Sequence, residues 1–107
     1  MIRFSKSNWD RFKTNNKKTT IRLREVKTGI HACGSGSPQW GNWKRWGTVY
    51  VHPFVAKKKV IDLNSEDAER DGFDSLTELL IELGKLNKTI TVNDYVYIHP
   101  VEVKKED

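Results

Sequence analysis

Thr19-Thr20-Ile21-Arg22-Leu23-Arg24 sets Ile21 and Leu23 on one side of the chain and Thr20, Arg22 and Arg24 on the other. A period of two belongs to a strand with one face buried, so 19–24 predicts a strand whose wet face is basic. Lys17-Lys18 leads into it, and Lys17, Thr20 and Arg22 bring a compact cation, a hydroxyl and a planar guanidinium to one loop-to-strand junction. Such a set orients a phosphate or a polarised carbonyl, because arginine offers a fork of donors and a lysine pKa yields to burial. The same charges also suit an edge strand that keeps other strands away.

Upstream, Ile2 and Phe4 precede Ser5 and Ser7, either of which can cap a short helix carrying Trp9 and Phe12 on one face and ending in Thr14-Asn15-Asn16. Downstream, 33–47 is rich in Gly, Ser and Pro and reads as a mobile loop leading to a strand. Segments 49–55, 60–63 and 95–103 are β-rich, while Lys57-Lys58-Lys59 reads as a solvated run. Asn64 or Ser65 followed by Glu66 and Asp67 opens a helix that Gly72 stops. Ser75 with Glu78 spells a capping box, and Leu76, Leu79, Leu80 and Leu83 then form one apolar stripe on a helix ending near Gly84.

Strands at both ends with helices between them predict an α+β domain: a small β-barrel of about five to six strands with flanking short helices. The 107 residues suffice for a single domain spanning 1–107. Val49-Tyr50-Val51-His52-Pro53 resembles Val96-Tyr97-Ile98-His99-Pro100, but five β-prone residues recur easily by chance.

Nineteen Lys and Arg against fourteen Asp and Glu give +5, with the acids concentrated from Asp62 onward. The basic first half favours polyanionic partners through phosphate contacts. Cys33 is the only cysteine, which excludes an internal disulfide and a zinc site of several thiolates. His31, His52 and His99 lack metal-ligand spacing, so neither a metal nor a cofactor is expected. Cys33 has no neighbouring base in sequence and reads as a small buried thiol. No apolar stretch is long enough for a signal-peptide core or a membrane span, and a cytoplasmic protein is expected.

Two further clusters carry chemistry. Asp71 closes its short helix at the end where a carboxylate faces bare carbonyls, a placement that asks for a compensating cation or a functional use. A solvated aspartate before a glycine cap is the plainer alternative. Trp40, Trp43 and Trp46 interleave with Lys44 and Arg45, a composition suited to stacking on bases while the cations meet phosphates. Trp46, where a strand begins, reads as a core anchor; Trp40 and Trp43 read as ligand contacts.

Lys17-x-x-Thr20-x-Arg22, followed by Glu66-Asp67-Ala68-Glu69-Arg70-Asp71-Gly72-Phe73-Asp74-Ser75-Leu76-Thr77-Glu78-Leu79, resembles the ASCH (activating-signal cointegrator homology) family, related to PUA-like RNA-binding domains. The resemblance covers most of the chain. It implies a PUA-like barrel with a pocket between barrel and helices, RNA or a modified nucleoside as partner and, in some bacterial members, amide hydrolysis of N(4)-acetylcytidine by a Lys, a Thr and a Glu. Lys17 and Thr20 match the first two; Asp71 stands where the Glu is expected, one methylene shorter. Asn16 replaces the usual Gly before the Lys, and the Trp-rich loop matches no functional position of the family. The expected function is RNA or nucleotide binding, with Lys17, Lys18, Thr20, Arg22, Arg24, Trp40, Trp43, Lys44 and Arg45 as contacts. The alternative is an amidohydrolase using Thr20 as nucleophile, Lys17 to take its proton and Asp71 to orient Lys17. An adaptor that uses exposed Trp residues to meet another protein is a third reading.

Overall fold

The computed structural model describes residues 1–107, in the order β1 (Ile2–Arg3), α1 (Lys6–Thr14), β2 (Thr19–Arg22), β3 (Gly29–Ser35), β4 (Lys44–Val51), β5 (Ala56–Lys59), α2 (Ser65–Arg70), α3 (Leu76–Leu86) and β6 (Tyr95–Glu106). Short 3-10 turns at Pro38–Trp40 and Val60–Asp62 complete it. The fold is α+β: one six-stranded sheet, ordered β1-β3-β4-β6-β2 with β5 also on β6, curls into a half-barrel flanked by the helices.

The twelve-residue β6 is the spine. Its first half lies between β5 (Ala56↔Ile98) and β2 (Ile21↔Ile98), and its second half pairs with β4 (Val51↔Val101). Strand alternation therefore feeds two cores from one strand. Val96 and Ile98 meet Ile21, Val60, Ala68, Phe73, Leu79 and Leu83 beneath α2 and α3. Val101 meets Phe4, Trp9, Cys33, Val49 and Val51 inside the curl. Leu79 and Leu83 are each worth roughly 1.5–3 kcal/mol of burial.

Several local expectations change. β2 stops at Arg22, opposite Tyr97, and the chain turns away so that the Val26 N–H reaches Nε2 of His99 at 3.0 Å; Arg24 thus lies beyond the strand. The expected mobile loop at 33–47 is largely the β3–β4 hairpin, with a register shift between Cys33 and Gly34. Gly34 serves close packing: a Cβ there would collide with the Lys44 carbonyl. The lysine run 57–59 is strand β5, whose Lys58 turns inward to Oδ2 of Asp67 at 2.8 Å, while Val60–Asp62 forms a 3-10 turn. Tertiary pairing with β6 overrides the low strand propensity of lysine there.

The helix starts follow the sequence more closely. Oδ1 of Asn64 accepts from the Asp67 N–H and Oδ2 of Asp67 accepts from the Asn64 N–H, a full capping box. Ser75 caps α3, but the Glu78 carboxylate accepts from the Asp74 N–H rather than from that of Ser75. α3 runs through Gly84 to Leu86, and of the leucine stripe Leu80 is left exposed.

Candidate functional site

The sheet does not close. β1 and β2 end its strand order, and Arg22 reaches across the gap, donating from Nη2 to the Arg3 carbonyl at 2.7 Å. Beside that gap, between the curl, α1 and α3, opens a cavity of about 420 Å³, within the range of small-molecule sites. Lys17, Thr20, Arg22 and Asp71 line it on one side, and Leu79, Leu83 and Leu86 line it from α3.

Lys17 is delivered by Asn16, whose φ of 52° is left-handed, a conformation asparagine tolerates. Its Nζ donates to Oδ1 of Asp71 at 2.9 Å and to the Asp71 carbonyl at 3.0 Å; the two side chains are 2% and 7% exposed. One ammonium thus answers both the carboxylate and a bare carbonyl at the end of α2, which resolves the apparent misplacement of Asp71. Thr19, whose hydroxyl donates to Oδ1 of Asp71 at 3.2 Å, completes the cluster. Gly72, at φ +87°, lets the chain turn here, where a Cβ would stand 3.0 Å from the Cβ atoms of Arg11 and Lys17.

Burial pushes Lys17 below the ordinary lysine range and Asp71 above the ordinary carboxylate range, each against the pull of the other's charge. Both shifts favour the uncharged forms, so Lys17 is closer to surrendering its proton than a surface lysine. Burial also lowers Arg22, opposed by the Asp71 charge. Thr20 makes no hydrogen bond to Asp71: its Oγ1 accepts from Nε of Arg22 at 2.8 Å, on the opposite side of the strand from Thr19 as strand alternation requires.

Among the wall residues that the sequence did not single out are three whose side chains bear charge or an amide near the cluster: Arg3, Asn8 and Glu82. Nδ2 of Asn8 donates to Oε1 of Glu82 at a long 3.5 Å, and because a carboxylate accepts, this contact turns the amide so that Oδ1 faces away. That Oδ1 is buried without a partner. Asn8 sits in the first turn of α1 and Glu82 beside the leucine stripe of α3, and only the approach of two helices distant in sequence brings them together.

The other expected contacts lie off the cavity. Lys18 is exposed, its N–H donating to the Arg70 carbonyl at 2.6 Å, and Arg24 is exposed beyond β2. Trp40 is 78% exposed at the hairpin tip and Trp43 is half-buried; the hairpin lines the cavity only through Ser35 and Gly36. Lys44 lies 5.5 Å from the Trp46 ring, and Arg45 is held by Asp107 at 2.9 Å and Thr48 at 2.6 Å. Trp46 packs against the inner core with Nε1 donating to the Phe4 carbonyl at 3.0 Å. Cys33 is fully buried with its thiol pushed up to about 12 by burial, so it offers no thiolate. No three His, Cys, Asp or Glu side chains converge on a metal position, and no helix is long and apolar enough to cross a membrane. Comparisons with protein-family models, with curated proteins and with solved structures find no match.

Proposed function

We propose that the cavity binds a nucleoside, free or within an RNA strand, as the ASCH-like motifs imply. The observation that carries this reading is the buried Lys17–Asp71 pair, with Arg22 beside it, on the wall of a cavity that also presents Leu79, Leu83 and Leu86 from α3. A buried ion pair rarely repays its own desolvation, so charges kept at a cavity wall are better explained by a polar ligand than by stability. The base would lie against Leu79 and Leu83, Arg22 and Lys17 would donate to a carbonyl or phosphate oxygen, and Oδ1 of Asn8 would accept from an N–H. Outside the cavity, Trp40 and Trp43 would offer stacking faces to neighbouring bases, and Lys18, Arg24 and Lys44 would meet phosphates. Arg45, engaged by Asp107, contributes less.

The presence of Lys17 and Thr20 together on the cavity lining, with burial holding Lys17 below the ordinary lysine range, favours a second reading, amide hydrolysis of an acylated nucleoside such as N(4)-acetylcytidine. A neutral Lys17 would accept the Thr20 hydroxyl proton as Oγ1 attacks the acyl carbon, then pass it to the departing amine. Water would cleave the acyl-threonine to release the carboxylic acid and regenerate the hydroxyl. Calorimetry with plain and acylated nucleosides and short RNAs, with chromatography for released amine, tests both readings. Binding without turnover supports the binder; turnover abolished by Thr20→Val supports the hydrolase. Absence of binding and turnover with every compound refutes both.

A further inference from the structure

β5 and the start of β6 present a second set of groups suited to nucleic acid, away from the cavity. In the ladder, Lys57 stands opposite Tyr97 and Lys59 opposite Tyr95, while Arg22 of β2 stands opposite Tyr97 on its other side. Residues directly opposite share a face, so Arg22, Tyr97 and Lys57 form one row across three strands. The reverse face carries Ala56, Lys58, Val96 and Ile98 and is covered by α2 and α3; the face with the tyrosines is not.

What this face exposes is aromatic and cationic. Tyr95 is 50% exposed and Phe54 38%, and Phe54 meets the Tyr97 ring edge-on with centroids 5.0 Å apart. Nζ of Lys57 lies 5.1 Å from the Tyr95 centroid and 5.2 Å from that of Tyr97, and Nζ of Lys59 lies 5.8 Å from that of Tyr95. Lys58 is neutralised by Asp67, whereas neither Lys57 nor Lys59 has an acidic partner. Two unmatched ammonium groups spaced along a strand, with aromatic rings between them, complement a chain of phosphates carrying unstacked bases. A duplex hides its base faces and would gain nothing from the rings.

We propose that the Phe54, Lys57, Lys59, Tyr95 and Tyr97 face binds single-stranded RNA, holding the strand that flanks the nucleotide in the cavity. The choice of RNA rests on the cavity reading; the single-strand preference rests on this face alone. The row ending at Arg22 gives the two sites a common wall.

Fluorescence anisotropy with a labelled short oligouridylate tests it. The wild-type protein should bind the single strand more tightly than an RNA duplex or the matching deoxy strand. Lys57→Ala with Lys59→Ala should make the dependence of log affinity on log salt shallower by about 1.4, the share of two phosphates on a single strand. Tyr95→Ala should weaken binding roughly fivefold or more, with melting temperature unchanged because the ring is half exposed. Calorimetry of nucleoside binding on the same variants should give wild-type values. Loss of nucleoside binding in the wild-type protein, with the oligouridylate still bound through these residues, refutes the cavity reading and leaves this face standing. Nucleoside binding without oligouridylate binding, equal affinity for the duplex or the deoxy strand, variants that bind as tightly as wild type, or binding of vesicles rich in anionic lipid in place of the oligouridylate would each overturn the proposal.

Discussion

Asp71→Asn keeps the shape of the side chain and removes its charge, and two opposing effects follow. Removing a carboxylate from the C-terminal end of α2 relieves an unfavourable dipole contact worth about 0.3–1 kcal/mol. Against this, Lys17, with a side chain 2% exposed, loses its only carboxylate partner. Stranding one member of a buried pair costs roughly 3–5 kcal/mol, less whatever the ammonium recovers by shedding its proton, which is eased here because burial already lowers its pKa. The net expectation is a loss of about 2–3 kcal/mol, or roughly 10–20 °C in Tm for a domain of this size. Urea melts at neutral pH measure it. A variant as stable as wild type, or more stable, would refute the pairing argument and return Asp71 to the status of a dipole-clashing cap.

The partner substitution fixes the sign of the pH dependence. In Lys17→Met the two influences of Lys17 that hold Asp71 down are gone, while the burial that raises it above its ordinary 3.8 remains. A group with a raised folded-state pKa contributes stability that is full below the unfolded value and lost as pH rises through the folded one. Lys17→Met should therefore be more stable near pH 4 than near pH 7, relative to wild type measured at both. The double variant Lys17→Met/Asp71→Asn should recover about 1–3 kcal/mol over the sum of the singles, since neither charge is stranded. Additive losses would mean the two residues do not act as a pair.

Trp40→Ala, at a ring 78% exposed, should leave Tm unchanged while reducing the fluorescence quench on RNA binding; Trp46→Ala, which also frees the Phe4 carbonyl, should cost about 3 kcal/mol in a urea melt. Cys33, fully buried, should react with a thiol reagent only as fast as the domain unfolds. With its folded pKa raised from 9.0 to about 12, stability should fall as pH climbs through that window, and the fall should be smaller in Cys33→Ala. Gly72→Ala should cost about 1–3 kcal/mol, because its left-handed φ and the contacts at 3.0 Å penalise any Cβ. An unaltered urea midpoint for that variant would show that the turn before Phe73 relaxes freely.

What the sequence disclosed and what it hid follow from the range of the interactions involved. The cap at Asn64, the leucine stripe from Leu76 to Leu83 and the alternation around Ile21 are local, and each rests on neighbours within one or two turns. The strand at Ala56–Lys59 was invisible because its stability comes from pairing with β6 some forty residues away, and nothing in three consecutive lysines announces a partner. The glycines at 34 and 47 misled in the same way: composition marks them as loop, while the reason for them is the close approach of Lys44 and Lys105 carbonyls. At the site, Lys17, Thr20, Arg22 and Asp71 were legible as residue types, but which threonine meets Asp71 was not. That choice turns on the strand alternation, which sends Thr19 to the carboxylate and Thr20 to Arg22.

This division of labour between two adjacent threonines bears on what the site can do. Thr19 is spent on holding Asp71, so its hydroxyl is a structural donor. The Thr20 hydroxyl accepts from Arg22, and the same guanidinium holds the Arg3 carbonyl across the open seam of the sheet. Arg22 therefore couples the seam to the site: any ligand anion that draws the guanidinium inward must compete with both Thr20 and β1. A hydroxyl that accepts from a guanidinium keeps its own proton free to donate, which suits a binding role toward a ligand carbonyl as well as attack on one. Nucleophilic use adds one requirement, a base on the side where that proton points, and Lys17, lowered by burial, and Asp71, raised by it, are the groups on the cavity wall whose pKa values move toward that task. The proposed binding and the proposed hydrolysis would thus part on whether a seated ligand brings the Thr20 proton within reach of Lys17, since in the free protein the Thr20 hydroxyl is turned to Arg22 and it is Thr19 that joins the Lys17–Asp71 cluster.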